Sequence, residues 1–119
     1  MVAKSSMRRT AAQFLADMTS EADWQSAIIE YAHLHGWHVA HFRPGLTQAG
    51  NWRTAVAADG AGFPDLVLVR ERVVFVEVKG HRGKLSPAQE WWQGRLSVAN
   101  AEWHCWEPRD RAEMEEMLR

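Results

Sequence analysis

Cysteine is nearly absent from this sequence: Cys105 is the only one. That excludes an internal disulfide framework and a cysteine-ligated zinc cluster, and it fits a reducing compartment. No apolar run approaches the ~18 residues of a membrane-spanning helix. Residues 1–9 lack the apolar centre of a secretory signal, so a cytoplasmic, intracellular protein with no membrane partner is expected. One-sided charge is missing too. Lys and Arg number 14 against 15 Asp and Glu, a net charge of −1, so bulk charge announces no polyanion partner. Internal repeats, low-complexity blocks and dividing linkers are likewise lacking. What remains is 119 residues, 46% apolar and 24% charged, which suits one globular unit with a real core. Residues 1–18 read as a lead-in, partly disordered or helical, and residues 19–119 as a single domain.

Several elements are legible from spacing and punctuation. Thr19 and Ser20 can cap a helix with Glu21 and Asp23 in its first turn, where carboxylates suit the positive end of the helix dipole. Trp24, Ala27, Ile28, Tyr31, Ala32 and Leu34 then recur at helical spacing up to the stop at Gly36. Residues 37–42 read as a strand. Residues 43–63 hold four of the eight glycines and read as a long loop. Two β-branched runs, 65–70 and 73–79, form a hairpin. Residues 80–85 are a basic loop. Ser86 caps a second helix with Pro87 at its first position and Glu90 in its first turn, running to about residue 99. A strand over 102–107 and a charged helix over 109–118 complete the order α-β-β-β-α-β-α. The β-α-β unit demands parallel strands, so the expected fold is α/β: a central four-stranded mixed sheet flanked by helices, with a short C-terminal helix.

The chemistry lies in Gly62-Phe63-Pro64-Asp65, eleven further residues, and Glu77-Val78-Lys79. Side chains two apart on a strand share a face, so Glu77 and Lys79 project together with Val78 packed behind. They follow Val73-Val74-Phe75-Val76, apolar on both faces as in a central strand. Breaking that pattern is unfavourable for stability, which points to function. Asp65 is the natural partner: two converging carboxylates make an oxygen site for Mg²⁺, which needs only one or two of them. The geometry tests this idea. A two-residue turn at Glu71-Arg72 would set the carboxylates on opposite faces, and that turn lacks the residues for positive φ. A three-residue connection, Arg70-Glu71-Arg72, pairs Val69 with Val73 and brings Asp65 opposite Glu77, their Cβ atoms roughly 5 Å apart.

The motif Pro64-Asp65…Glu77-Val78-Lys79, preceded by a helix bearing Glu21 and followed by Ser86-Pro87-Ala88-Gln89, resembles the PD-(D/E)XK nuclease superfamily. More narrowly, it resembles the short stand-alone form of the VRR-NUC family. The resemblance spans about residues 20–108. Gly-x-Pro-Asp, the hairpin, Glu-x-Lys, a basic loop and Ser-x-x-Gln together are its specific part. It implies a restriction-endonuclease-like core, α-β-β-β-α-β. It also implies that Asp65 and Glu77 are metal ligands, with the Val78 carbonyl as another, and that Lys79 is the catalytic lysine. Gln89 would sit beside the site against metal-bound water or substrate. An acidic residue on the first helix also meets the metal in the family; Glu21 is the candidate, with Gln25 one turn later, while Glu30 falls out of phase toward solvent. The implied activity is that of a Mg²⁺- or Mn²⁺-dependent endodeoxyribonuclease, a homodimer that cuts branched DNA such as four-way junctions and carries no organic cofactor.

Other readings stand beside these. Glu21 would equally stabilise a helix dipole. His33, His35, His38 and His41 could suggest zinc, although nothing forces them to converge. His41 and Arg43 could hold a phosphate at the mouth of the long loop. Trp24, Trp91 and Trp103 are expected in the core. Trp52 or Trp92 could stack on a base or fill a dimer contact, with the dimer patch expected on the helix over 86–99 or around Trp92. Between residues 31 and 95 eight Lys and Arg face five acids. Arg43, Arg53, His81, Arg82, Lys84 and Ser86 are the candidates for nucleic-acid contact, which gives affinity without base reading. A non-catalytic binding module on the same scaffold, or an RNA-directed nuclease, would share every motif.

Overall fold

The computed structural model describes residues 9–42, 45–46, 52–53 and 57–119, with 45–46 and 52–53 described by backbone alone. Thr10 opens helix α1 (Ala11–Met18) with a capping box: its hydroxyl accepts the Gln13 amide at 3.1 Å, and the Gln13 side chain accepts the Thr10 amide at 2.8 Å. Thr19 closes α1 and leaves the next cap to Ser20, whose hydroxyl accepts the Asp23 amide at 3.0 Å. Helix α2 (Glu21–Leu34) buries Trp24, Ile28 and Ala32, one stripe at four-residue spacing. Leu34 lies off that stripe and is exposed. Gly36 then takes φ +83°, the left-handed value that ends the helix.

Strand β1 (His38–His41) follows. Gly45–Leu46 (β2) and Trp52–Arg53 (β3) pair as a small antiparallel ladder within the segment expected to be loop throughout. Two residues per strand leave no alternation for a sequence pattern to report. Strands β4 (Leu66–Val69), β5 (Val73–Val78) and β6 (Glu102–Trp106) complete a four-stranded sheet in the order β1-β4-β5-β6. The first two pairings are antiparallel, and β5–β6 is parallel across helix α3 (Pro87–Val98), as the β-α-β order demands. The hairpin pairs Val69 with Val73 through the three-residue connection, the register that the turn chemistry favoured.

Partners in register share a face. Leu66, Leu68, Val74, Val76, Val78 and Trp106 form the core side, packed with Trp24, Ile28 and Ala32 of α2. The opposite parity carries Val67, Phe75, Glu77, Trp103 and Cys105. A 3₁₀ turn, Pro108–Asp110, precedes helix α4 (Arg111–Leu118), dividing what the sequence read as one terminal helix.

The far end of the hairpin clamps α4. Trp37 Nε1 donates to the Leu118 carbonyl at 2.8 Å, and Arg72 Nη2 donates to that of Met117 at 2.6 Å. Arg70 Nη1 donates to the His35 carbonyl at 2.8 Å, and the Arg70 and Arg72 guanidiniums lie 4.5 and 5.0 Å from the Trp37 ring centre. Cations at a helix C-terminus satisfy carbonyls that have no partner within the helix.

Candidate active site

Asp65 stands one residue ahead of β4, with its backbone carbonyl accepting the Phe42 amide at 3.0 Å. Continuing the β4–β5 register past Leu66 and Val76 sets Asp65 opposite Glu77. Asp65 Oδ2 accepts the Val78 amide at 2.9 Å, fixing the carboxylate against the end of β5. Its carboxyl is the neighbouring group that acts most strongly on Glu77.

Glu77 is only 2% exposed and is the sole buried charged or polar residue among the described ones. Burial pushes its carboxyl up to about 9; the hydrogen bond and charge of Asp65 push the same way, Lys79 opposes them, and Glu21 adds to the rise. The site therefore holds more anionic groups than its one lysine compensates.

Gln89 ties the group together. Lys79 Nζ donates to Gln89 Oε1 at 2.8 Å, and Gln89 Nε2 donates to Glu77 Oε2 at 3.1 Å. The lysine nitrogen itself is 3.8 Å from Glu77 Oε2. Gln89 Oε1 also accepts the Ser86 amide at 2.8 Å, while Ser86 Oγ accepts the Gln89 amide at 3.2 Å. The capping box of α3 thus orients the side chain that joins Glu77 to Lys79, and the Ser86 hydroxyl is engaged in that cap.

The remaining candidates divide. Glu21 Oε1 accepts the Gly80 amide at 3.1 Å, so it reaches the first residue of the basic loop. Gln25 Nε2 lies 2.7 Å from His41 Nε2. His41 pairs with Leu66 and so shares the α2 side, not the parity of Asp65 and Glu77. In the basic loop His81 Nδ1 lies 3.1 Å from Asp17 Oδ1 of α1. Arg82 takes φ +58°, and its amide donates to Glu107 Oε1 at 2.7 Å. The Arg82 and Lys84 side chains are exposed. Arg43 lies outside the described residues, as does the Arg53 side chain. Among the described residues no three His, Cys, Asp or Glu side chains gather as a metal-binding group, so the clustered histidines do not converge.

Two expectations are corrected. Arg70 and Arg72, two of the eight Lys and Arg counted between residues 31 and 95, lie away from the site; they bond Glu71, Glu102 and the α4 carbonyls at the opposite end of the hairpin. Trp91 is not core. It is 49% exposed, because Trp92 takes the inward direction of α3 and meets Phe63. Adjacent tryptophans cannot share a facing, but their sequence gives no means of ranking them. The loop anchors Asp17 and Glu107 carry no local signal in the sequence, because their partners, His81 and the Arg82 amide, are distant along the chain.

A model of the VRR-NUC domain matches residues 20–103. The chain belongs to the VRR-NUC family. That family lies in the PD-(D/E)XK nuclease-like superfamily, so the domain is a nuclease domain, a hydrolase whose substrate is nucleic acid. The four-stranded mixed sheet with flanking helices agrees with a restriction-endonuclease-like core. No curated protein and no solved structure matches the chain. No helix among the described residues is long and apolar enough to cross a membrane.

Proposed function

We propose that this VRR-NUC domain is a divalent-metal-dependent endodeoxyribonuclease with Asp65, Glu77, Lys79 and Gln89 as its catalytic residues. The observation that carries the reading is the meeting of Asp65 and Glu77 beside Lys79, on elements that also belong to the core sheet. The donor set fits a hard cation: two carboxyl groups share one place, and burial with the charge of Asp65 raises the Glu77 carboxyl, a strain that a bound cation would relieve. Asp65 and Glu77 would hold Mg²⁺ or Mn²⁺, with the Val78 carbonyl completing the protein ligands and Glu21 nearby. When bound, the ion supplies Lewis-acid polarisation of the scissile phosphate and countercharge for the displacement.

The chain's own residues do the rest. Lys79, aimed by its hydrogen bond to Gln89, offers its ammonium to the charge growing on the phosphorus oxygens. Gln89 keeps that ammonium from collapsing onto Glu77, with Nε2 on the carboxylate and Oε1 on the lysine. His81, Arg82 and Lys84, with Arg43 and Arg53, take flanking phosphates, so the backbone is read rather than the bases. One centre cuts one strand, which supports a homodimer acting on branched DNA such as a four-way junction.

Cleavage of linear, flapped and four-way DNA in Mg²⁺, Mn²⁺ or EDTA tests the reading, with RNA versions in the same panel and sedimentation for the dimer. Alanine at Asp65, Glu77 or Lys79 lowers the rate by about 10²–10³-fold or more, with fold and affinity kept. Metal-dependent cutting at the full rate by Glu77→Ala refutes the assignment.

A further inference from the structure

Helix α3 holds its two adjacent tryptophans in opposite settings. Trp92 turns inward: Nε1 donates to the carbonyl oxygens of Asp59 at 3.1 Å and Ala61 at 3.0 Å, and its ring meets Phe63 edge-on at 5.0 Å. Trp91 stands half exposed, propped edge-to-face on Trp92 at 5.3 Å, with the Arg95 guanidinium 5.1 Å from its ring centre. Beside it opens a cleft of about 350 Å³ lined by Ala58, Asp59, Ala61, Ala88 and Trp91. It is a shallow hollow, open to solvent rather than enclosed.

The cleft is built, not incidental. Gly62, at φ +82°, lies so close to α3 that a Cβ there would fall 2.6 Å from the Ala88 carbonyl carbon. Ala58 is held at φ +53°, a left-handed conformation that side-chain-bearing residues rarely adopt. The turn is closed by hydrogen bonds from Gly60 to Ala57 and from Phe63 to Gly60. Trp92 then pins the turn to the helix. Ala88 and Trp91 sit three residues apart on α3, with Gln89 of the catalytic group between them in sequence.

We propose that this cleft receives one unpaired nucleobase of the substrate strand, stacked on Trp91. The inference rests on the nuclease reading and deepens it: the preferred substrate carries an unstacked nucleotide. Three alanines and an indole offer apolar contact and a π-face, which suit a base and not a phosphate. Asp59 also lines the cleft, and an acidic residue there disfavours a phosphate. Arg95 brings positive charge to the rim. A paired base inside a duplex has both faces covered and does not enter.

Fluorescence anisotropy in EDTA separates binding from cleavage. Trp91→Ala is expected to weaken binding of a duplex with a single-stranded flap about fivefold or more, with Trp91→Phe keeping most of the affinity. Blunt-duplex affinity changes less than twofold. In a flap carrying 2-aminopurine at its first unpaired position, binding quenches the probe with the wild type and not with Trp91→Ala. Equal loss on both DNAs, or no loss on either, overturns the cleft assignment. So does a changed sedimentation coefficient with unchanged DNA binding, which would make Trp91 an interface residue. Failure of the wild type to cut any DNA in Mg²⁺ or Mn²⁺ would sink the nuclease reading instead, and the quenching assay would still report on the cleft.

Discussion

Glu77→Gln removes one titrating proton from the most enclosed charge-bearing position among the described residues. In the folded protein without divalent ions, the Glu77 carboxyl sits near 9 against an ordinary 4.5, chiefly through burial and then through Asp65. A carboxyl raised on folding binds its proton more tightly in the native state. Its contribution is fully present below about pH 4.5 and is lost as pH rises toward 9. Each pH unit inside that window is worth about 1.4 kcal/mol, so between pH 5 and pH 8 the wild type loses up to about 4 kcal/mol through this group. Glutamine keeps the shape without the proton. The difference in unfolding free energy between variant and wild type, from urea titrations in EDTA at several pH values, should therefore grow by up to about 4 kcal/mol in the variant's favour. Titrating groups remote from Glu77 cancel in the difference. Adding Mg²⁺ at pH 8 should stabilise the wild type, because binding to the folded state displaces the proton, and should do little for the variant. Parallel pH curves for the two proteins would refute the reasoning.

Gly62→Ala should destabilise the protein by about 1–3 kcal/mol, read as a lower Tm, because its Cβ has no room against Ala88 and φ is +82°. Trp37→Phe keeps the buried ring but loses the bond to the Leu118 carbonyl, so stability should fall by about 1 kcal/mol and amide exchange in α4 should quicken. Ser86→Ala should cost about 1 kcal/mol through the lost cap, with a partial loss of cleavage rate. Gln89→Ala frees Lys79 as well and should lower the rate further at similar stability; equal rates for the two variants would mean that Gln89 acts through the cap alone.

The central strands and the helix boundaries were legible because their signals are local. Ser20, Gly36, Ser86 and Pro87 are chemically suited to ends, and the structure uses each at an end. The hairpin register was legible for a different reason: Glu71-Arg72 cannot make a tight two-residue turn, and the alternative also unites Asp65 with Glu77. Long-range choices were not legible. Nothing near Arg70 or Arg72 says that both will stack on Trp37 and grip carbonyls of a helix more than forty residues later. The sequence reading sets Trp91 inward and Trp92 outward, and the structure reverses them, because only packing, here against Phe63 and the carbonyls of residues 59 and 61, decides which ring turns inward.

The basic loop explains why so much of the chain converges on one short segment. Glu21 holds the amide of Gly80, Asp17 meets the ring of His81, and Glu107 holds the amide of Arg82. These anchors come from α2, α1 and the end of β6, so three separated carboxylates fix one stretch of backbone. At Gly80 and Arg82 the anchor is a backbone amide, which leaves the Arg82 side chain exposed, as is that of Lys84. Gly83 closes the arrangement: a Cβ there would lie 3.0 Å from the Lys79 Cβ, so the loop packs directly on the stem of the lysine it follows. A cation carried on a fixed backbone loses less freedom when it meets a phosphate than one on a mobile loop, and the same contacts hold Lys79 in line with Gln89. Loop anchoring and lysine placement are therefore one structural problem, solved by acids that never need to touch the substrate.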